Sequence, residues 1–289
     1  MTDTPMLSIV LLTYNSVRYI PGCLSALQGQ LPTIAHEVIV VDNGSRDGGV
    51  AWIRQHMPRV RIIENRQNRG VGAARNQGIR ISRGRHVLIL DIDTVPQPGS
   101  LDTLLQTACD HPAAGVVAPR LVGLDGQLQL SARRFPTVLS KILRQRAQLH
   151  TQGYLASENL AHWSHDHLRY VDYVIGAAQL LNRDALAEIG LFDERIFYGP
   201  EDVDLCLRMW QAGWRVAYQP AATILHAEQR MTRSVKGFFS RTGIGHFVGL
   251  AWFFAKHGYL FTRPRARIQT LVAASSTADR TRASQSENA

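Results

Sequence analysis

The chain has 289 residues, is 45% hydrophobic and carries a formal net charge of +9. That length and apolar content suffice for one large domain or two small ones with a sizeable core, and a charged fraction of only 19% argues against wholesale disorder. The basic balance points to a polyanionic partner, whether nucleic acid, an anionic membrane surface or a phosphorylated substrate, without choosing among them.

In chain order, Met1 to Met6 carries no basic region and the apolar run Leu7 to Leu12 is too short for a signal-peptide core. That run predicts a buried strand. Val17 to Gln28 predicts a helix, Glu37 to Val41 a second strand, Gly48 to His56 a helix, and Val60 to Ile63 a short third strand. Gly72 to Ser82 predicts a helix and His86 to Leu90 a fourth strand. Continuous apolar strands alternating with helices predict an α/β domain whose mostly parallel central sheet is covered by helices on both faces. Such sheets bind ligands at the carboxyl ends of their strands. Three of these strands run into polar clusters there: Thr13-Tyr14-Asn15, Asp42-Asn43-Gly44-Ser45 and Asp91-Ile92-Asp93.

Leu101 to Cys109 predicts a helix and Gly115 to Leu121 a strand. Residues 123–170, rich in Arg, His and Gln, read as an irregular region facing an acceptor. Order returns over Val171 to Leu181, followed by helices from Arg183 to Ile189 and from Val203 to Ala212, the latter closed by Gly213. Arg215 to Tyr218 and Ala222 to Leu225 predict short strands. Residues 1–235 are expected to form the main domain, with halves of about 1–120 and 121–235. Residues 236–262 make a basic, aromatic helical segment whose apolar centre, Ile244 to Ala255, falls short of the ~20 residues a bilayer span needs. Packing on the domain and lying on an anionic membrane both suit it. Residues 263–289 are expected to be disordered. The three cysteines, Cys23, Cys109 and Cys206, are far apart and read as reduced thiols. A cytoplasmic catalytic part is therefore expected.

Asp91 and Asp93, two apart at a strand end, suit a hard divalent ion, Mg2+ or Mn2+, together with phosphate oxygens. A solvated Asp-x-Asp-Thr turn is the plainer alternative, and the apolar strand before it favours the metal. Asp42 either accepts a hydrogen bond from a nucleobase N–H or closes an Asx-turn. No Gly-x-Gly-x-x-Gly loop follows the first strand, which sets aside a dinucleotide-binding unit. Asn68-Arg69-Gly70-Val71-Gly72 opens a helix; it is either a tight turn or a loop whose small residues admit a ligand, with Arg75 in reach of a diphosphate. Glu201 and Asp202 begin a helix, where acids suit the dipole. Helical neighbours point about 100° apart, so one can face a pocket while the other binds structure. Asp204 and Arg208 are spaced to pair. His226, after an apolar strand, is a candidate third metal ligand through a neutral imidazole. His162-Trp163-Ser164-His165-Asp166-His167 fits no zinc spacing and reads as a polar loop on the acceptor side.

Taken together, these motifs resemble glycosyltransferase family 2, with the GT-A nucleotide-diphospho-sugar transferase fold. The resemblance runs from about Met6 to Ser234 and includes Gly176-Ala177, Gly190-Leu191-Phe192-Asp193-Glu194, Tyr198-Gly199-Pro200-Glu201-Asp202-Val203-Asp204 and Ile224-Leu225-His226. It is strongest to the bacterial rhamnosyltransferase-type branch. It implies that Thr13, Tyr14, Asn15 and Asp42 hold the nucleotide, with Asn68, Gly70 and Arg75 beside it. It further implies that Asp91 contacts ribose or the metal through water, that Asp93 and His226 bind the metal, and that Asp202 is the general base supported by Glu201. Implied partners are a nucleotide-diphospho-sugar donor, dTDP-rhamnose foremost, and a saccharide acceptor, lipid-linked in one version, with no nucleic acid. Inverting transfer in cell-surface polysaccharide assembly follows. Gln179, where the family usually has an apolar residue, and Ala227-Glu228-Gln229-Arg230 after His226 depart from the pattern. A nucleotidyltransferase or a non-catalytic nucleotide-sugar binder are the rival readings.

Overall fold

Alternation along Leu7–Thr13 sends Leu7, Ile9 and Leu11 to one side and Val10 to the other, all fully buried, and this segment is strand β1. The computed structural model describes residues 5–30, 35–145, 156–227, 241–261 and 264. Helix α1 (Ile20–Gln30) leads to β2 (His36–Asp42), α2 (Gly49–His56), β3 (Arg61–Glu64), α3 (Val71–Ile81), β4 (His86–Asp91) and β5 (Thr94–Pro96). Then come α4 (Ser100–Asp110), β6 (Ala114–Val122), β7 (Leu128–Gln129), β8 (Ala132–Arg133) and α5 (Val138–Gln145). The chain continues through β9 (Arg169–Tyr170), β10 (Tyr173–Val174), β11 (Ala178–Asn182), α6 (Arg183–Ile189), α7 (Glu201–Gln211), β12 (Arg215–His226) and α8 (Arg241–His257).

The main sheet has the order β3-β2-β1-β4-β11-β6-β12-β5. Strands β3, β2, β1 and β4 are mutually parallel, so their carboxyl ends lie along one edge. β11 inserts antiparallel between β4 and β6, while β6 and β12 run parallel. One face buries Leu7, Ile9 and Leu11 with residues of α1, α2 and α4, among them Leu24, Ile53 and Leu104. The other face buries Val10, Ile39 and Ile89 against α3, α6 and α7. This is the expected α/β architecture with helices on both faces.

Two expectations change. Residues 123–170 are not uniformly irregular: β7 pairs with β6, β8 with β10, and β9 with β12. The two strands expected at 215–225 are one, β12, whose register shifts between Gln219 and Thr223 around Pro220; proline cannot donate to the ladder there. The His162–His167 stretch is a loop that exposes His162, Ser164, Asp166 and His167. Trp163 and His165 are buried, their rings stacked at 4.2 Å, and both meet Tyr218 of β12 edge-on. Burial holds the His165 pKa below its ordinary value, so the ring is neutral.

The expected Asp204–Arg208 pair forms at 2.9 Å and belongs to a larger cluster. Asp204, fully buried, also accepts from Lys256 Nζ at 2.7 Å and contacts His257 at 2.8 Å, while Lys256 reaches Asp193 at 2.9 Å. Buried charges survive only when paired in this way. The cluster, with Phe253 and Phe254, packs the inner face of α8 onto the domain. Most of the expected tail, 265–289, and residues 228–240 lie outside the described residues, including most of the Ala227–Arg230 departure.

Candidate active site

The metal-ligand candidates meet at the carboxyl edge of the sheet. β4 ends at Asp91, Ile92 and Asp93 form a turn, and β5 returns antiparallel to the end of β12, pairing Thr94 with His226. Thr94 Oγ1 donates to the Asp91 carbonyl at 2.6 Å and Ala227 N to the Asp93 carbonyl at 3.0 Å, closing the turn on the strand end. The two acids therefore converge through a turn, not through side-chain alternation along an extended chain. One ligand atom from each of Asp91, Asp93 and His226 lies within 4.8 Å of the other two, with His226 Nε2 3.7 Å from Asp93 Oδ1.

A further residue orients the imidazole. Gln129 on β7 donates through Nε2 to the His226 carbonyl at 2.9 Å, which turns its Oε1 to His226 Nδ1 at 2.7 Å. That contact leaves Nε2 on the side of Asp93. Two carboxylates and an oriented imidazole are a donor set that fits Mg2+ or Mn2+. Nothing in Gln127-Leu128-Gln129 marks this role; it depends on β7 pairing beside β12.

Arg75 is placed differently from expectation. It is 2% exposed, and its guanidinium donates to Asp91 Oδ1 at 2.8 Å, the Gly176 carbonyl at 2.7 Å and Glu201 Oε1 at 3.3 Å. It does not reach outward for a diphosphate; it ties the end of β4 to the start of α7. A Cβ on Gly176 would sit 2.6 Å from Arg75 Nη1, so glycine lets the guanidinium approach the backbone this closely. Although burial opposes it, the charges of Asp91 and Glu201 hold the Arg75 pKa above its ordinary value.

α7 begins at Glu201, two residues earlier than the spacing predicts, which puts both acids in its first turn. Glu201 turns inward: it is 6% exposed and accepts from Gly199 N at 2.5 Å as well as from Arg75. Burial and the adjacent Asp202 charge push its pKa up to about 7, against the pull of Arg75. Asp202 turns the other way and is half-buried, its Oδ2 accepting from Gly176 N at 3.0 Å and its Oδ1 from Val203 N at 2.8 Å. Gly176 thus receives Arg75 on its carbonyl and presents its N–H to Asp202. Tyr198 lies among the same carboxylates, and burial with the charges of Glu201, Asp91 and Asp202 pushes its hydroxyl up to about 12.

At the β1–β2 end, Thr13 lies opposite Asp42 in register. Asp42 Oδ2 accepts from Gly44 N at 3.2 Å and Ser45 N at 3.0 Å, an Asx-type turn. Its Oδ1 and Thr13 Oγ1 are buried without a partner, which leaves an acceptor and a hydroxyl for a ligand. Tyr14 is exposed beside them. Asn15 is engaged instead in joining loops, its Oδ1 accepting from Arg46 N at 2.9 Å. Asn68 is likewise a brace: its Oδ1 accepts from Gly70 N at 2.9 Å and Asn43 Nδ2 at 3.0 Å. Gly70 packs closely on the protein, since a Cβ there would meet the Phe197 carbonyl at 2.7 Å. Asn43, whose Oδ1 also accepts from Arg69 N at 3.0 Å, organises this loop, a role the sequence leaves unmarked.

The sequence model of Glycosyl transferase family 2 matches residues 8–164. The N-acetylglucosaminyl-diphospho-decaprenol L-rhamnosyltransferase of Mycobacterium tuberculosis is 31% identical over 251 residues, 79% of this chain and 78% of that protein. Pre-mycofactocin glycosyltransferase of the same organism is 33% identical over 199 residues, covering 68% of this chain and 38% of that one. Among solved structures, mannosyltransferase PcManGT from Pyrobaculum calidifontis, in complex with GDP-Man and Mn2+, aligns with a TM-score of 0.61 at 20% identity over 94% of this chain and 70% of its own. GalNAc-T7 with UDP, GalNAc and Mn2+ aligns with a TM-score of 0.60 at 13% identity over 96% of this chain and 58% of its own. Both structural likenesses concern the fold.

Proposed function

The chain belongs to glycosyl transferase family 2, and from that premise we propose that it moves a hexosyl group from a nucleotide-diphosphate donor to a saccharide hydroxyl with inversion. The donor is dTDP-rhamnose and the acceptor a lipid-linked saccharide, in cell-surface polysaccharide assembly. The rhamnosyltransferase relative, whose name carries a decaprenol-linked acceptor, supports that choice. One observation carries the reading: the Asp91–Asp93–His226 ligand set and the carboxylate of Asp202 are joined through a single buried guanidinium and one glycine residue.

In this reading Asp42 Oδ1 accepts from a nucleobase N–H, Thr13 donates its hydroxyl and Tyr14 covers the base. Asp91, Asp93 and His226 would hold Mg2+ or Mn2+, which would supply positive charge against the leaving diphosphate. Asp202, held by Gly176 N, takes the proton of the attacking hydroxyl. Glu201 keeps Arg75 and the Gly199 N–H in place beneath it. The enzyme works at the cytoplasmic face of a membrane with anionic lipid.

Incubation with dTDP-rhamnose and a lipid-diphosphate N-acetylglucosamine analogue tests the reading. Expected with Mn2+ are free dTDP and a rhamnosylated product of anomeric configuration opposite to the donor's, both lost in EDTA. Release of rhamnose 1-phosphate would indicate nucleotidyl transfer, and binding without product a non-catalytic protein; either result contradicts the proposal.

A further inference from the structure

Helix α8 has two unlike faces. Its inner face closes on the loop before α7: Gly249 leaves no room for a Cβ, which would lie 2.8 Å from the Gly199 carbonyl, and His246 Nδ1 contacts the Tyr198 carbonyl at 3.3 Å. Its outer face is apolar. Ile244, Val248, Ala251 and Ala255 are all exposed, and at 100° per residue they fall within an arc of about 60°. Ile244 and Val248 are 55% and 59% exposed. Just beyond the helix Leu260 and Phe261 are 51% and 72% exposed, and beside them Leu139 of α5 is 43% exposed. The Val138 N–H donates to the Leu260 carbonyl, which joins the two elements.

The flanking sequence carries one sign of charge. Residues 229–270 include eight Lys or Arg and no Asp or Glu, and residues 126–157 include five Lys or Arg and no Asp or Glu. No described helix is long and apolar enough to cross a membrane. An apolar stripe lying parallel to the surface, set in acid-free sequence, has the chemistry of a helix seated in the headgroup layer of an anionic bilayer. A second copy of the chain suits it less, because a two-fold contact would bring like-charged flanks together.

We propose that Ile244, Val248, Leu260, Phe261 and Leu139 form the surface by which the protein docks on anionic lipid, with the catalytic loop on the opposite side of the same helix. Docking there holds the Tyr198–Gly199 loop, which leads into Asp202, against the inner face of the docked helix and near the lipid that presents a lipid-linked saccharide. The surface deepens the proposed use of such an acceptor, and the two fail separately in the test below.

The full chain is sedimented with phosphatidylglycerol-containing vesicles and with pure phosphatidylcholine vesicles, at low and high salt. Expected is binding to the anionic vesicles that weakens with salt, and a loss of about tenfold or more in the Ile244→Asp/Val248→Asp variant. Leu260→Ser/Phe261→Ser, outside the helix, should show a loss of the same sign. Rhamnosyl transfer to a water-soluble acceptor should be unchanged in both. Wild-type protein that stays in the supernatant with anionic vesicles overturns the proposal, as do variants that sediment like wild type. So does a dimer in light scattering without lipid that the variants convert to monomer. Absence of transfer by every chain, with vesicle binding as expected, would instead sink the enzymatic reading and leave the lipid surface standing.

Discussion

Asp202→Asn is expected to lower turnover about a thousandfold and to leave dTDP-rhamnose binding near the wild-type level. The substitution preserves volume and removes the charge that accepts a proton. Both carboxylate oxygens already accept backbone N–H groups, from Gly176 and Val203. An amide has only one oxygen for those two donors, so the side chain also loses its fixed orientation. Glu201 cannot substitute for it. Its carboxylate is buried between Arg75 and the Gly199 N–H, turned away from Asp202 by the helical offset. Steady-state rates with separate donor-binding titration check this, and turnover within about tenfold of wild type would remove Asp202 from the role of base.

Arg75→Met should cost about 3–5 kcal/mol of folding stability, because breaking a buried ion pair leaves its partners unpaired. The chain length makes that a fall of about 10 °C in Tm. Methionine fills much of the space yet offers no donor to Asp91, Glu201 or the Gly176 carbonyl, which now face one another. Turnover falls as well, since the end of β4 and the start of α7 are no longer joined. A residue that only touched the donor diphosphate would behave otherwise: KM would rise and Tm would hold. Calorimetric unfolding with KM measured beside it separates the two, and a stability loss under about 1 kcal/mol contradicts the buried-tie role.

Much of the fold is legible in the sequence because its parallel half is written in continuous apolar strands. Leu7–Leu12, Glu37–Val41 and His86–Leu90 each lie inside the strands observed. The second half is harder to read, since β7, β8, β9 and β10 are two residues long and have no period. Their existence depends on partners distant in sequence. The acids at the strand ends are legible by position, and Asp91, Asp93 and His226 do converge. What the sequence hides is which polar atoms the protein itself uses. Arg75 and Asn68 are as polar as Asp42, yet Arg75 is buried in a tie between elements and Asn68 Oδ1 braces its own loop, while Asp42 keeps one buried oxygen without a partner. Only the packed structure decides that, and the same holds for Gln129, which acts through His226, and for Gly70, whose close neighbour Phe197 lies far along the chain.

The proposed chemistry requires Asp91, Asp93 and His226 to close on one cation, beside an Asp202 carboxylate held by Gly176 N. Titration calorimetry of Mn2+ into wild type and Asp93→Ala, each with dTDP present, addresses it most directly. Expected is one Mn2+ per wild-type chain and an affinity lower by about a hundredfold or more in Asp93→Ala. Equal Mn2+ affinity in the two proteins, or no Mn2+ bound by wild type with dTDP, would contradict it.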